Sequence, residues 1–135
     1  MGLHKNLNEK LFRAIRPINF LWDNEFNRPS PAAFKDKNGL SVEKAGQRTT
    51  NDVLESLSKK HNTETIVVIS VKQCVQIDTY PINAPSHTNR YHVEIHNSPT
   101  EKLIEANKRR KMAEICTIYT IKNQLYIVSV DRQKL

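Results

Sequence analysis

The sequence predicts an α+β domain, a mainly antiparallel sheet with two helices and a long, ordered but irregular N-terminal segment. Three observations predict it. Stretches that alternate, or that are rich in β-branched residues, outnumber stretches with a helical stripe. Both helical windows open on residues suited to a helix start. Residues 17–48 are broken by Pro17, Pro29, Pro31 and Gly39, yet they hold Phe20, Trp22, Phe26 and Phe34, so this stretch is expected to pack down as an ordered excursion. The 135 residues make one domain, spanning 1–135, with material for a core that needs no disulfide or structural metal.

Taken in order, residues 10–16 (Lys-Leu-Phe-Arg-Ala-Ile-Arg) fit either a helical face or a less regular strand; we read a strand, ended by Pro17. Short pieces of strand or helix are expected around 32–34 and 40–42. Residues 51–61 read as a helix, with Thr50 as N-cap, Asp52 in the first turn and Val53, Leu54 and Leu57 on one side. Residues 65–71 are β-branched and form the most strongly marked strand, expected to be central. Residues 75–82 alternate Val75, Ile77 and Thr79 with Gln76, Asp78 and Tyr80 and read as a second strand, halted by Pro81 and Pro85. In residues 90–96, Tyr91, Val93 and Ile95 point one way and His92, Glu94 and His96 the other. Ser98-Pro99-Thr100-Glu101 combines an N-cap, a first-turn proline and a capping box, which predicts a helix to about 115 with Leu103, Ile104, Met112 and Ile115 inward. Residues 116–121 and 125–130 are expected to form a hairpin around Lys122-Asn123-Gln124. Both helices are expected on one face of the sheet.

Composition excludes several classes. Three glycines supply no phosphate-cradling loop, and no Walker A, G-x-G-x-x-G, G-x-S-x-G or H-E-x-x-H pattern occurs. The longest strongly apolar run, Ile66-Val67-Val68-Ile69, has a strand's length, so no membrane span or membrane partner is expected. The start of the chain carries no apolar signal region, and a cytoplasmic location is expected. Cys74 and Cys116 form no C-x-x-C pair and are expected as reduced, semi-buried thiols. The formal net charge of +7 is the strongest global signal and suits phosphate-bearing or other anionic partners.

Three groups of residues carry candidate chemistry. Lys108-Arg109-Arg110-Lys111 can neutralise phosphates, although such a run is also what a solvated helix face looks like. His92, Glu94 and His96 share one face of a strand. At this spacing, neighbours on that face stand about 7 Å apart, so the outer two cannot grip one metal ion, and no metal site is expected. A histidine and a glutamate on one face can instead serve acid–base cleavage of RNA, with His87 nearby in a loop; the plain alternative is the solvent face of a strand. Arg13, Arg16, Arg28, Ser30 and Lys35 lie in and beside the irregular segment, interleaved with aromatics, as the candidates for binding phosphate or another ligand.

The segment Leu11-Phe12-Arg13-Ala14-Ile15-Arg16-Pro17, then Trp22, then Arg28-Pro29-Ser30-Pro31-Ala32-Ala33-Phe34-Lys35-Asp36 and Gly39-Leu40-Ser41-Val42 resembles a family of small uncharacterised bacterial proteins with the pattern "LYRAI…RPSSAAFKD…GLSVD". Phe12 stands for its Tyr, Pro31 for its second Ser and Glu43 for its Asp. The resemblance covers residues 11–43. It carries no activity with it, but it marks the irregular segment as the family's hallmark and implies that Arg13, Arg28, Ser30 and Phe34 line a site. A fainter similarity is to NAD-using toxins of the RES and ADP-ribosyltransferase type. There Arg13 and Arg28-Pro29-Ser30 would hold cofactor phosphates and Glu94 would be the catalytic glutamate; the Gly-Arg-Trp-Asn stretch of those proteins is missing.

The expected function is nucleic-acid binding, RNA above all, because charge is the signal spread over the whole chain. The alternatives are a small enzyme, either a metal-independent ribonuclease or an NAD-consuming transferase, and a protein–protein adaptor. No resident cofactor is expected.

Overall fold

In the computed structural model, which describes residues 2–3, 6–16, 18, 20–122 and 126–131, the most apolar segment of the chain sits inside one large sheet, with strands paired on both of its edges. The strands are β1 (Gly2–Leu3), β2 (Lys10–Ile15), β3 (Trp22–Asp23), β4 (Arg28–Pro29), β5 (Leu40–Lys44), β6 (Thr65–Ser70), β7 (Tyr80–Asn83), β8 (His92–His96), β9 (Thr117–Lys122) and β10 (Tyr126–Asp131). Eight of them pair in the order β1-β7-β8-β5-β2-β6-β9-β10, and β3 and β4 form a separate ribbon. Every pairing is antiparallel, so the α+β class holds. The helices are α1 (Thr50–His61), α2 (Val71–Gln76) and α3 (Ala106–Ile115), with a 3-10 turn at Pro31–Phe34.

Of residues 10–16, Lys10–Ile15 do form a strand, and its full ladder with β6 runs from Lys10↔Ser70 to Ile15↔Thr65. Alternation along β2 splits the core in two. Leu11 and Ile15 join Phe34, Leu40, Val42, Val93, Ile95, Met112 and Cys116 on one face. Phe12 joins Val53, Leu54, Leu57, Ile66 and Val68 on the other, beneath α1. Both cysteines are buried, and burial pushes the Cys74 thiol up to about 12.

The sheet is therefore covered on both faces, by α1 on one and by α3 and the 3-10 turn on the other, where a one-sided arrangement was expected. The physical reason is β6, buried from Thr65 to Ile69 on both sides, which a helix layer on one face alone would leave half exposed.

Three other elements differ from the sequence reading. Residues 75–82 are not one strand: α2 ends at Gln76 and β7 begins at Tyr80. Ser70 decides this, because its hydroxyl accepts from Gln73 N while its own N–H donates to the Gln73 side chain, a reciprocal capping box that starts a helix. The Ser98 cap also forms, with Glu101 N donating to Ser98 Oγ at 3.0 Å, but it closes only a turn. The helix begins at Ala106 after Glu105, whose N–H is taken by the buried Asn97. Thr49, not Thr50, caps α1. In the irregular segment Phe34 is buried and Trp22 half-buried, whereas Phe20 and Phe26 stand exposed. The terminal strands pair as expected, from Tyr126↔Lys122 to Asp131↔Thr117, and residues 123–125 lie outside the described residues. Among the described residues no helix is long and apolar enough to cross a membrane.

Candidate active site

The site begins where a ladder stops. Pairing between β2 and β5 covers only Leu11↔Lys44 and Phe12↔Glu43. At the next residue the Arg13 side chain crosses the gap, its Nη1 donating to Ser41 O at 2.8 Å and its Nε to Ala33 O at 2.9 Å. The guanidinium thus ties β2, β5 and the 3-10 turn together. Burial lowers its pKa while Asp36 works against the shift, and an arginine so far above neutrality stays cationic.

Over this gap lies a cleft of about 260 Å³ on the α1 face, with Phe12, Ala14, Val42 and Leu57 among its apolar lining and Arg13, Ser41, Glu43, Lys60, His61, Asn89 and His92 as its polar groups. Each arrives by a local rule. Leu40 and Val42 point into the opposite core, which leaves Ser41 and Glu43 on the α1 face. The β5–β8 register sets Glu43 opposite His92 and Ser41 opposite Glu94. His61 ends α1, and that end is fastened: Asn62 takes the left-handed conformation at φ 49°, Ser58 Oγ donates to Thr63 O, and Thr63 Oγ1 donates to Ile15 O at the end of β2.

Glu43 is the buried charge of the cleft, 8% exposed. It is compensated by Arg48 Nη2 at 3.0 Å, Lys60 Nζ at 3.6 Å and the Asn89 amide at 3.2 Å. Arg48 in turn stacks on the Tyr91 ring at 3.6 Å and donates to the carbonyls of Lys44 and Ala45. Next to His92 along β8, Glu94 lies between two imidazoles, 2.9 Å from His96 Nε2 and 3.5 Å from His92 Nε2. The hydrogen bond from His96 is the main cause that holds the Glu94 carboxyl below the usual carboxylate range, with His92 adding to it. Gly39 makes room for this group. A Cβ there would stand 2.8 Å from His96 Cδ2, and its φ of 93° suits glycine in any case. His61 is pushed below its usual value, first by desolvation, then by Lys60, with Arg13 and Arg16 adding and Glu43 opposing.

The sequence candidates divide accordingly. His92 and Arg13 line the cleft, and Glu94 and His96 continue the same row of β8. Arg16 lines an adjoining depression. Arg28 lies 4.6 Å from the Phe26 ring, Ser30 donates its hydroxyl to Phe20 O, and Lys35 is exposed after the 3-10 turn; none of the three lines either hollow. Lys108 is buried and donates to Asp78 O at 2.8 Å and Asn97 O at 3.0 Å, so it fastens α3 to the body of the protein. Arg109 is half-buried with a buried Nε, which leaves Arg110 and Lys111 as the exposed cations of that run. His87 is exposed in its loop.

Glu43, Lys60, His61 and Asn89 are functional candidates that the sequence reading missed. Lys60-His61 looks like an ordinary basic helix end, and Glu43 becomes notable only through its register with His92. Among the described residues no three His, Cys, Asp or Glu side chains are grouped to hold a metal ion. No family model, curated protein or solved structure matches this chain.

Proposed function

We propose that this protein binds single-stranded RNA in the cleft beneath α1 and cleaves it by acid–base chemistry. The observation that carries the reading is that two histidines from different elements, His61 of α1 and His92 of β8, line one cleft together with the cations Lys60 and Arg13. Self-cleavage of an RNA phosphodiester needs one group to take a proton, one to give a proton, and positive charge at the phosphoryl oxygens.

His61 fits the base. Its lowered pKa keeps the ring neutral near pH 7, ready to accept the 2′-hydroxyl proton. The 2′-oxygen then attacks phosphorus, the bond from phosphorus to the 5′-oxygen breaks, and His92 protonates that leaving oxygen. The products are a 2′,3′-cyclic phosphate and a free 5′-hydroxyl. Glu94 orients the His92 ring through its 3.5 Å contact, and Lys60 and Arg13 face the charge that builds on the phosphoryl oxygens. The net charge of +7 supports capture of the polyanion from a distance.

The test is a titration of labelled single-stranded RNA at low and moderate salt, with the RNA then resolved by length. Binding that weakens with salt and RNA that is cut are expected. His61→Ala and His92→Ala should each lower cleavage about 100-fold or more while leaving binding in place. Salt-sensitive binding with intact RNA would overturn the catalytic part and leave a binding module. No binding at low salt would overturn the whole reading.

A further inference from the structure

A second depression, of about 250 Å³, adjoins the cleft and shares Arg13, Ala14 and His61 with it; Arg16, Leu21, Ala33 and Thr63 are among its other lining residues. We propose that this depression is a phosphate subsite for the neighbouring nucleotide of the same strand, so that the substrate is a polynucleotide that runs across His61. This rests on the RNA reading above.

The two hollows differ in charge. The cleft contains Glu43 among its cations, whereas no carboxylate among the described residues lines the second depression, to which Arg13 and Arg16 bring charge. Arg13 spends two of its five donors on Ser41 O and Ala33 O, which fixes the guanidinium in place and leaves its charge over both hollows. Arg16 is exposed at the far wall and forms no ion pair among the described residues. Both arginines act on His61 in the direction that opposes its protonation, so their positive field reaches the shared wall. A phosphate between them would neutralise that field with fork-shaped donors suited to its oxygens.

The placement also follows from connectivity. A strand whose reacting 2′-hydroxyl meets His61 has its scissile phosphate on the Lys60 and His92 side. In that placement the phosphate on the 5′ side of the same ribose lies on the other side of His61 from His92, and the shared wall leads from there to Arg16.

The experiment compares fluorescent oligonucleotides that differ by one phosphate on the 5′ side of a single ribonucleotide, in wild type and Arg16→Ala. The uncleavable 2′-O-methyl versions are titrated by anisotropy, and the ribonucleotide versions are followed by kcat/KM. In wild type the added phosphate should tighten binding and raise kcat/KM by about tenfold, the size of one charge-assisted contact. In Arg16→Ala the ratio should fall towards one, and the slope of log affinity against log salt should drop by about 0.7 for the longer probe. Arg28→Ala, outside both hollows, should keep the wild-type ratio. An unchanged ratio in Arg16→Ala, or no gain from the added phosphate in wild type, overturns the subsite. If the ratio behaves as expected in binding but no RNA is cut, the subsite stands and the catalytic reading falls.

Discussion

Glu43 of β5 lies directly across the ladder from His92 of β8, and Arg48, Asn89 and Lys60 all converge on its carboxylate. A carboxylate so enclosed stabilises the fold while its partners are present, because removing Glu43 or Arg48 leaves the other largely buried with its main ion-pair partner gone. Glu43→Ala and Arg48→Ala should each cost about 3 kcal/mol in urea unfolding. The double variant should cost less than the sum, as a coupled pair requires. Additive losses would mean that the two side chains act independently.

The His61 shift has a definite sign. Its folded pKa lies below the usual 6.5, so the folded protein holds the ring neutral where the unfolded chain would take a proton. Stability from this group is present above the unfolded value and is lost as pH falls through it to the folded value. The acid limb of a kcat/KM profile should accordingly lie below pH 6.5. Desolvation is the leading cause and Lys60 the next, so Lys60→Met should move the His61 imidazole resonances to a higher titration midpoint in an NMR pH series. A midpoint that stays put would remove Lys60 from the account.

Gly39 and the His96–Glu94 pair predict a steric defect. A Cβ at residue 39 meets His96 Cδ2 at 2.8 Å and Nε2 at 2.9 Å, and φ is positive. Gly39→Ala should destabilise by about 1–3 kcal/mol through that strain and the displaced imidazole. Glu94→Gln, which keeps the volume, should cost about 1 kcal/mol at pH 7. Since the Glu94 carboxyl is held below its ordinary range, its contribution is present above the unfolded carboxylate value. It is lost as pH falls through the lower folded value. The gap between wild type and Glu94→Gln in unfolding experiments should therefore close in acid.

The basic run of α3 should separate into two kinds of residue. Lys108→Ala withdraws the donor from the Asp78 and Asn97 carbonyls and should cost about 2–4 kcal/mol. Arg110→Ala and Lys111→Ala, both exposed, should change stability by no more than about 0.5 kcal/mol. The helix packs on the face opposite α1, so these two should also leave RNA affinity at moderate salt close to wild type. A large loss of affinity in either would move the binding surface to α3.

Residue order alone determined whatever depends on near neighbours. The alternation of Leu11 and Ile15 with Phe12, the β-branched run at β6, the row of His92, Glu94 and His96 and the body of α1 are all readable in the chain, because side-chain period and capping are local. So was the capping box of Ser70 and Gln73, although the alternating residues after it hid the helix. The tertiary structure alone decided which local pieces meet. Antiparallel register is a property of two strands at once, and it set Glu43 against His92. The early end of the β2–β5 ladder turned Arg13 from a surface cation into a cross-strand tie. The packing of α1 over β2 brought His61, unremarkable at a helix end, into a cleft with His92. Lys108, one of four consecutive cations in sequence, found two carbonyls inside the fold. Burial and partnership are set by residues distant in sequence, and they decide whether a charge serves stability or chemistry.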